Sequence, residues 1–167
     1  MKKLAILICV VMLFNGCKIG LNGASIPAEM KTVSVQLFEN NAPLVIPYLS
    51  SQFTEDFKTR IRNQSRLSIT QNDADAVFTG NISNYEIVPV AIQDNKNPTP
   101  GANRLNIRVN VKYTNNLNPK LSFEESFERF EQFKLDGQSI QALEPQLIKK
   151  VTAQLTEDIF NRAFANW

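Results

Sequence analysis

The 167-residue sequence has no histidine, and its two cysteines, Cys9 and Cys17, both fall near the start. The body of the chain therefore has no imidazole base, no thiol nucleophile and no Cys/His metal set. It also cannot close an internal disulfide. Charge of one sign is equally scarce, with 18 basic residues against 16 acidic ones. Lys2 and Lys3 account for the whole excess. A nucleic-acid binder should be strongly basic, which sets that class aside. Carboxylate-only or Ser-Lys chemistry needs none of the missing groups, yet no spacing suggests it. The chain is expected to be no enzyme and to need no cofactor. It has no internal repeat, no low-complexity tract and no long apolar run after the first.

That first run is informative. Lys2 and Lys3 precede eleven apolar residues, Leu4 to Phe14, and then Asn15, Gly16 and Cys17. A bilayer-spanning helix needs about 20 apolar residues, so this one is too short to span. A charged start, a short greasy run and a small residue before Cys is the pattern of a bacterial lipoprotein signal. Cleavage would make Cys17 the N-terminus and its thiol the site of a diacylglycerol. The alternative is an ordinary secretory signal, which would leave Cys17 a lone thiol in an oxidising space. One acyl chain anchors only marginally, whereas two or three make desorption negligible. Lys18 stands where an aspartate would mark inner-membrane retention, which favours the outer membrane. No acidic run follows Cys17, which favours the periplasm-facing leaflet. The expected division is 1–16 signal peptide, 17–30 acylated cysteine and tether, and 31–167 a single domain. Removing the first 16 residues leaves 151, a length that suits one core.

Within that domain, Thr32 to Phe38 alternates Val33, Val35 and Leu37 with polar residues, the period of a half-buried strand. Glu39 to Pro43 should break it. Pro47 suits a first helical turn, and Leu49, Phe53, Phe57 and Ile61 form one helical stripe. Acids lie early in this helix, and Lys58, Arg60, Arg62 and Arg66 lie late, as the helix dipole favours. That basic cluster reads as a solvated helix end, or alternatively as a seat for an anionic partner. Leu67 to Thr70 suggests a short strand. Asn72 to Asp75 suggests a turn, with the aspartates as turn formers rather than metal ligands.

Ala76 to Ala91 reads as a long strand whose apolar parity switches near Ser83 and Asn84, the mark of a bulge. Gln93 to Asn103 reads as a loop. From Arg104 to Thr114 alternation is cleanest. Leu105, Ile107, Val109, Val111 and Tyr113 point one way, and Arg104, Asn106, Arg108, Asn110 and Lys112 the other. Arg104, Arg108 and Lys112 would form an anion-binding strip; the alternative is a face charged for solubility. Residues 121–136 fit helical and strand spacing, and the turn at Asn118-Pro119 favours a returning strand. Its Glu124, Glu125, Glu128 and Glu131 could face the neighbouring cations. Gln138 to Trp167 reads as a closing helix, regular from Pro145. The expected architecture is an α+β two-layer sandwich. Two amphipathic helices cover one face of a mostly antiparallel sheet of about four strands, and the other face stays open.

Cys17, the tether Gly23-Ala24-Ser25-Ile26-Pro27 and Val33-Ser34-Val35 resemble the start of the LptE family of Bacteroidetes type. Asn103 to Ile107, Phe123 to Phe133 and the ending Ile159-Phe160-Asn161 to Trp167 continue the resemblance. It implies an outer-membrane lipoprotein that plugs an LptD-like β-barrel and helps insert lipopolysaccharide into the outer leaflet. It implies direct lipopolysaccharide contact through basic residues, for which Arg104, Arg108 and Lys112 are the candidates by strand geometry. The alternative reading is a periplasm-facing lipoprotein that scaffolds another envelope complex. Mass spectrometry of the membrane-extracted protein should find an N-terminal Cys17 carrying acyl chains, and Cys17→Ser should abolish palmitate labelling.

Overall fold

The computed structural model describes residues 26–92 and 99–165. The signal, Cys17 and its tether to residue 25, positions 93–98 of the expected loop, and Trp167 lie outside the described residues. In chain order come β1 (Thr32–Val35), β2 (Glu39–Asn40), α1 (Leu49–Gln64), β3 (Ser68–Ile69), β4 (Ala76–Ile92) and β5 (Thr99–Asn115). A 3-10 turn (Pro119–Leu121), β6 (Phe123–Lys134) and α2 (Ile140–Phe164) complete it. The strands form one sheet in the order β3-β1-β4-β5-β6, with β2 also paired to β4.

Two helices against one sheet were expected, but the sheet has six strands and is mixed. β1 lies parallel to β3 and β4, and β2 parallel to β4. Only β4–β5 and β5–β6 are antiparallel. The cause is α1, which returns the chain to the end where β1 began, so the strands after it run alongside β1. β2 and β3 are two residues each, too short to leave a periodic trace. Glu39 and Asn40, expected as a break, pair with Asn81 and Ile82.

Several boundaries also move. After Val35 the chain leaves β1, so Phe38 is buried and Leu37 is 60% exposed, against the expected parity. β5 starts at Thr99, so the expected loop is partly strand. β4 tolerates Pro89 because, among the described residues, nothing pairs with its outer side beyond Ile82. α1 starts at Leu49, two residues after Pro47. α2 starts at Ile140, and Pro145 lies inside it. The Ser139 hydroxyl caps the earlier start by accepting the Ala142 N–H at 3.3 Å.

The helices run parallel to each other. The Thr152 hydroxyl donates to Asp56 at 3.2 Å and Arg60 Nε donates to the Thr156 hydroxyl at 3.0 Å, both pairs 96 residues apart. Arg60 Nη2 also donates to the Ala153 carbonyl at 2.8 Å. Lys58 pairs with Glu55 at 2.7 Å, and Arg66 donates to the carbonyls of Ile26 and Pro27. The basic cluster is thus more than a solvated helix end: it staples α1 to α2 and to the entering chain. Asp75 is a turn former. Its carboxylate accepts the N–H groups of Lys31 and Thr32, which hold its carboxyl below the usual range.

Both helices cover the face that carries Val33, Val35, Phe78, Ile82, Tyr85 and the odd-numbered residues of β5 from Leu105 to Tyr113. Aromatic edges knit this core: Phe57 meets Phe78 at 4.9 Å and Phe78 meets Phe164 at 5.8 Å between centroids. The expected bulge is present as a register shift between Ile82 and Asn84. It brings Tyr85 back to the helix side, where its hydroxyl donates to Glu144 at 2.7 Å. Burial first, and that carboxylate second, push the Tyr85 phenol far up.

Gly80 is the tightest point of the sheet. A Cβ there would stand 2.1 Å from the Asn110 carbonyl oxygen and 2.7 Å from Phe38. Overpacking of this kind costs about 1–3 kcal/mol or more. Gly80→Ala should therefore lower the unfolding free energy of the domain by at least about 1 kcal/mol in urea denaturation, seen as a lower midpoint with the slope unchanged.

Candidate functional site

The open face of β4–β5–β6 is built by strict alternation. Because Leu105, Ile107, Val109, Val111 and Tyr113 are buried, the intervening Arg104, Asn106, Arg108, Asn110 and Lys112 must project away from the helices. Register then sets their neighbours. Thr79, Lys112 and Glu124 form one row; Asn84, Arg108 and Glu128 form another; Val88, Arg104 and Gln132 form a third. Four residues separate each cation from the next, roughly 13 Å along a strand.

The three cations share one face as expected, but they are held differently. Arg108 Nε donates to Glu128 at 2.8 Å, and its Nη2 donates to the same carboxylate. Asn106 Nδ2 donates to Glu128 and, at 3.2 Å, to Glu86. Those contacts, Asn106 first and Arg108 second, hold the Glu128 carboxyl below the ordinary glutamate range. Arg104 stacks on Phe130, with its guanidinium carbon 4.4 Å from the ring centre. Arg104 Nε and Asn106 Oδ1 are buried with no hydrogen-bond partner among the described residues. Lys112 is exposed opposite Glu124, and among the described residues it makes no ion pair. Of the three cations, Arg108 is the one already held by a carboxylate, Arg104 is stacked on a ring and Lys112 stays open.

Two of the four glutamates expected on this face are elsewhere. Glu125 and Glu131 lie on the helix side, where Arg162 bonds Glu125 and Lys150 bonds Glu131 at 2.8 Å. Arg129 and Asp158 make a third such pair, and Arg162 also covers the Phe123 ring at 4.3 Å. Parity carried the signal: Glu125, Arg129 and Glu131 share the odd numbering of Phe123, Phe127 and Phe133. No group of three His, Cys, Asp or Glu side chains converges to hold a metal among the described residues. No described helix is long and apolar enough to cross a membrane.

Residues 30–163 match the model of the family described as "LptE: Lipopolysaccharide-assembly". The chain belongs to the LptE family. Membership gives it a role in lipopolysaccharide assembly in the cell envelope. No curated protein matches the chain. Among solved structures it is similar to a minor lipoprotein from Acinetobacter baumannii, with a TM-score of 0.52 and 10% identity over 80% of this chain and 91% of that one. It is also similar to the hypothetical protein CT253 from Chlamydia trachomatis, with a TM-score of 0.54 and 11% identity over 82% of this chain and 99% of that one. At such identities the likeness is one of fold: an LptE-type sandwich of two helices on a mixed sheet.

The Glu128 carboxyl supplies a check on the strip. A carboxyl whose folded pKa is depressed adds stability above its unfolded pKa and loses it as pH falls through the folded value. Its exposure keeps that contribution small. In a carbon-detected NMR titration, Asn106→Ala should raise the Glu128 midpoint toward the ordinary range.

Proposed function

We propose that this chain is a lipid-anchored, non-catalytic assembly partner of an LptD-like β-barrel in the outer membrane, acting in the lumen of that barrel during lipopolysaccharide insertion. The observation that carries the reading is the family match across residues 30–163. A chain acylated at Cys17 would be held at the periplasm-facing leaflet without spanning it.

The open sheet face suits such a setting. It presents Thr79, Asn84, Asn106, Asn110 and Ser126 among its paired charges, and the interior of a transmembrane barrel is polar and wet. Glycolipid phosphates would meet Arg104, Arg108 and Lys112 through charge-assisted hydrogen bonds. Lys112 is open to such a ligand. Arg108 would have to exchange Glu128 for phosphate. Binding at this strip would therefore be modest and reversible, as a transit site requires.

Extraction of outer membranes in mild detergent should co-purify the barrel. Capture of other envelope proteins and no barrel would favour the scaffold reading instead. For the strip, Lys112→Glu and Arg108→Glu should each weaken lipopolysaccharide binding by the purified domain about five-fold or more, the scale of one lost charge-assisted bond. Thermal midpoints should stay close to that of the parent. Unchanged binding in both variants would remove the strip as a lipopolysaccharide site.

A further inference from the structure

The turn between β5 and β6 is held by hydrogen bonds around the buried Asn115 and leaves two leucines exposed. Asn115 is buried, and its side-chain oxygen accepts the N–H groups of Leu117 at 3.0 Å and Asn118 at 2.8 Å. Asn116 Nδ2 donates to the Ala74 carbonyl at 2.7 Å, and the Ser122 hydroxyl accepts the Asn115 N–H at 3.0 Å. The Asn118 side chain accepts the Lys120 N–H at 3.3 Å at the start of the 3-10 turn. This network fixes the turn and leaves Leu117 49% and Leu121 47% exposed, with Lys120 between them.

The position of the turn supplies the second observation. Ile26, where the described chain begins, lines the same cavity of about 290 Å³ as Leu121, Lys120 and Phe164. Cys17 is nine residues earlier in the sequence, a reach of at most about 30 Å. Lys31 is exposed at this same end. The opposite pole carries exposed Leu44 and Val45, which follow β2 where it pairs with Asn81 and Ile82, about 20 Å of strand beyond the start of β4 at Ala76.

We propose that the β5–β6 turn is a second membrane contact. Leu117 and Leu121 enter the interfacial zone of the leaflet that holds the acyl chains of Cys17, and Lys120 lies among the lipid phosphates. The contact rests on the reading of Cys17 as lipidated. An anchor alone leaves the domain free to swivel on its tether. This contact fixes which pole faces the leaflet and carries the tip of the β4–β5 hairpin away from it.

The mature chain has no cysteine besides Cys17, which acylation blocks, so a single introduced thiol can be labelled cleanly. The acylated protein carrying Leu121→Cys, labelled with an environment-sensitive fluorophore, is placed in vesicles of phosphatidylethanolamine and phosphatidylglycerol. Its emission should shift to the blue, and nitroxide-bearing lipids should quench it several-fold more than the same label at Val45→Cys. Adding Leu117→Asp should return the label to water-like emission with the thermal midpoint unchanged. A label at position 121 as wet as that at 45, on protein shown by mass to be acylated and bound, overturns the contact and leaves the anchor standing. A bare Cys17 overturns both.

Discussion

One-sided burial of β5 governs the whole molecule. Its odd-numbered residues from Leu105 to Tyr113 are sealed under the helices, and its even-numbered residues carry the charges of the opposite face. A slip of one residue against either neighbour would exchange the two faces and drive Arg108 into an aromatic core. The bulge between Ile82 and Asn84 serves the same constraint from β4. It absorbs one residue so that Ile82 and Tyr85 both reach the helix side. Gly80 serves it by sheer lack of a side chain, since Phe38 and the Asn110 carbonyl occupy the space a Cβ would need.

β6 shows how the same alternation divides its charges between two tasks. On the helix side, Arg162–Glu125, Arg129–Asp158 and Lys150–Glu131 tie the strand to α2. Exposed pairs of this kind contribute about 0–1 kcal/mol each. The apolar stripe of α2 must hold the layers together, and the ion pairs set where the helix lies along the strand. On the open side, Glu128 and Glu124 face Arg108 and Lys112. The helix face of the strand is paired throughout, and the open face is paired at Arg108–Glu128.

That pairing bears on the role in lipopolysaccharide assembly. A bare cationic strip would hold a phosphorylated glycolipid tightly and release it slowly. Under the contact proposed above, a strip whose central arginine is already clamped by Glu128 would offer exchange in place of capture. The poles differ as well. The helix C-termini, the β5–β6 turn and the entry of the chain at Ile26 share one end, while the helix N-termini and the exposed Leu44, Val45 and Tyr48 mark the other. Parallel helices create this asymmetry, because each follows a strand of the same direction and returns antiparallel to it.

Much of this was legible from periodicity. The alternation from Arg104 to Thr114 placed its charges and its core correctly, and the parity switch in β4 announced its bulge. The stripe Leu49, Phe53, Phe57 and Ile61 announced α1, and the turn at Asn118-Pro119 made 121–136 a strand. What the sequence settled alone were properties that repeat along one element, because burial of one face imposes a period on the residues that form it. Only the tertiary structure decided the rest. Two-residue strands have no period, so β2, β3 and the parallel half of the sheet emerged from where α1 returns the chain. Which glutamates meet Arg108 or Lys112, and which meet Arg162 or Lys150, depends on register between strands and on the helix laid across them. Those distances exist only once the chain has closed on itself.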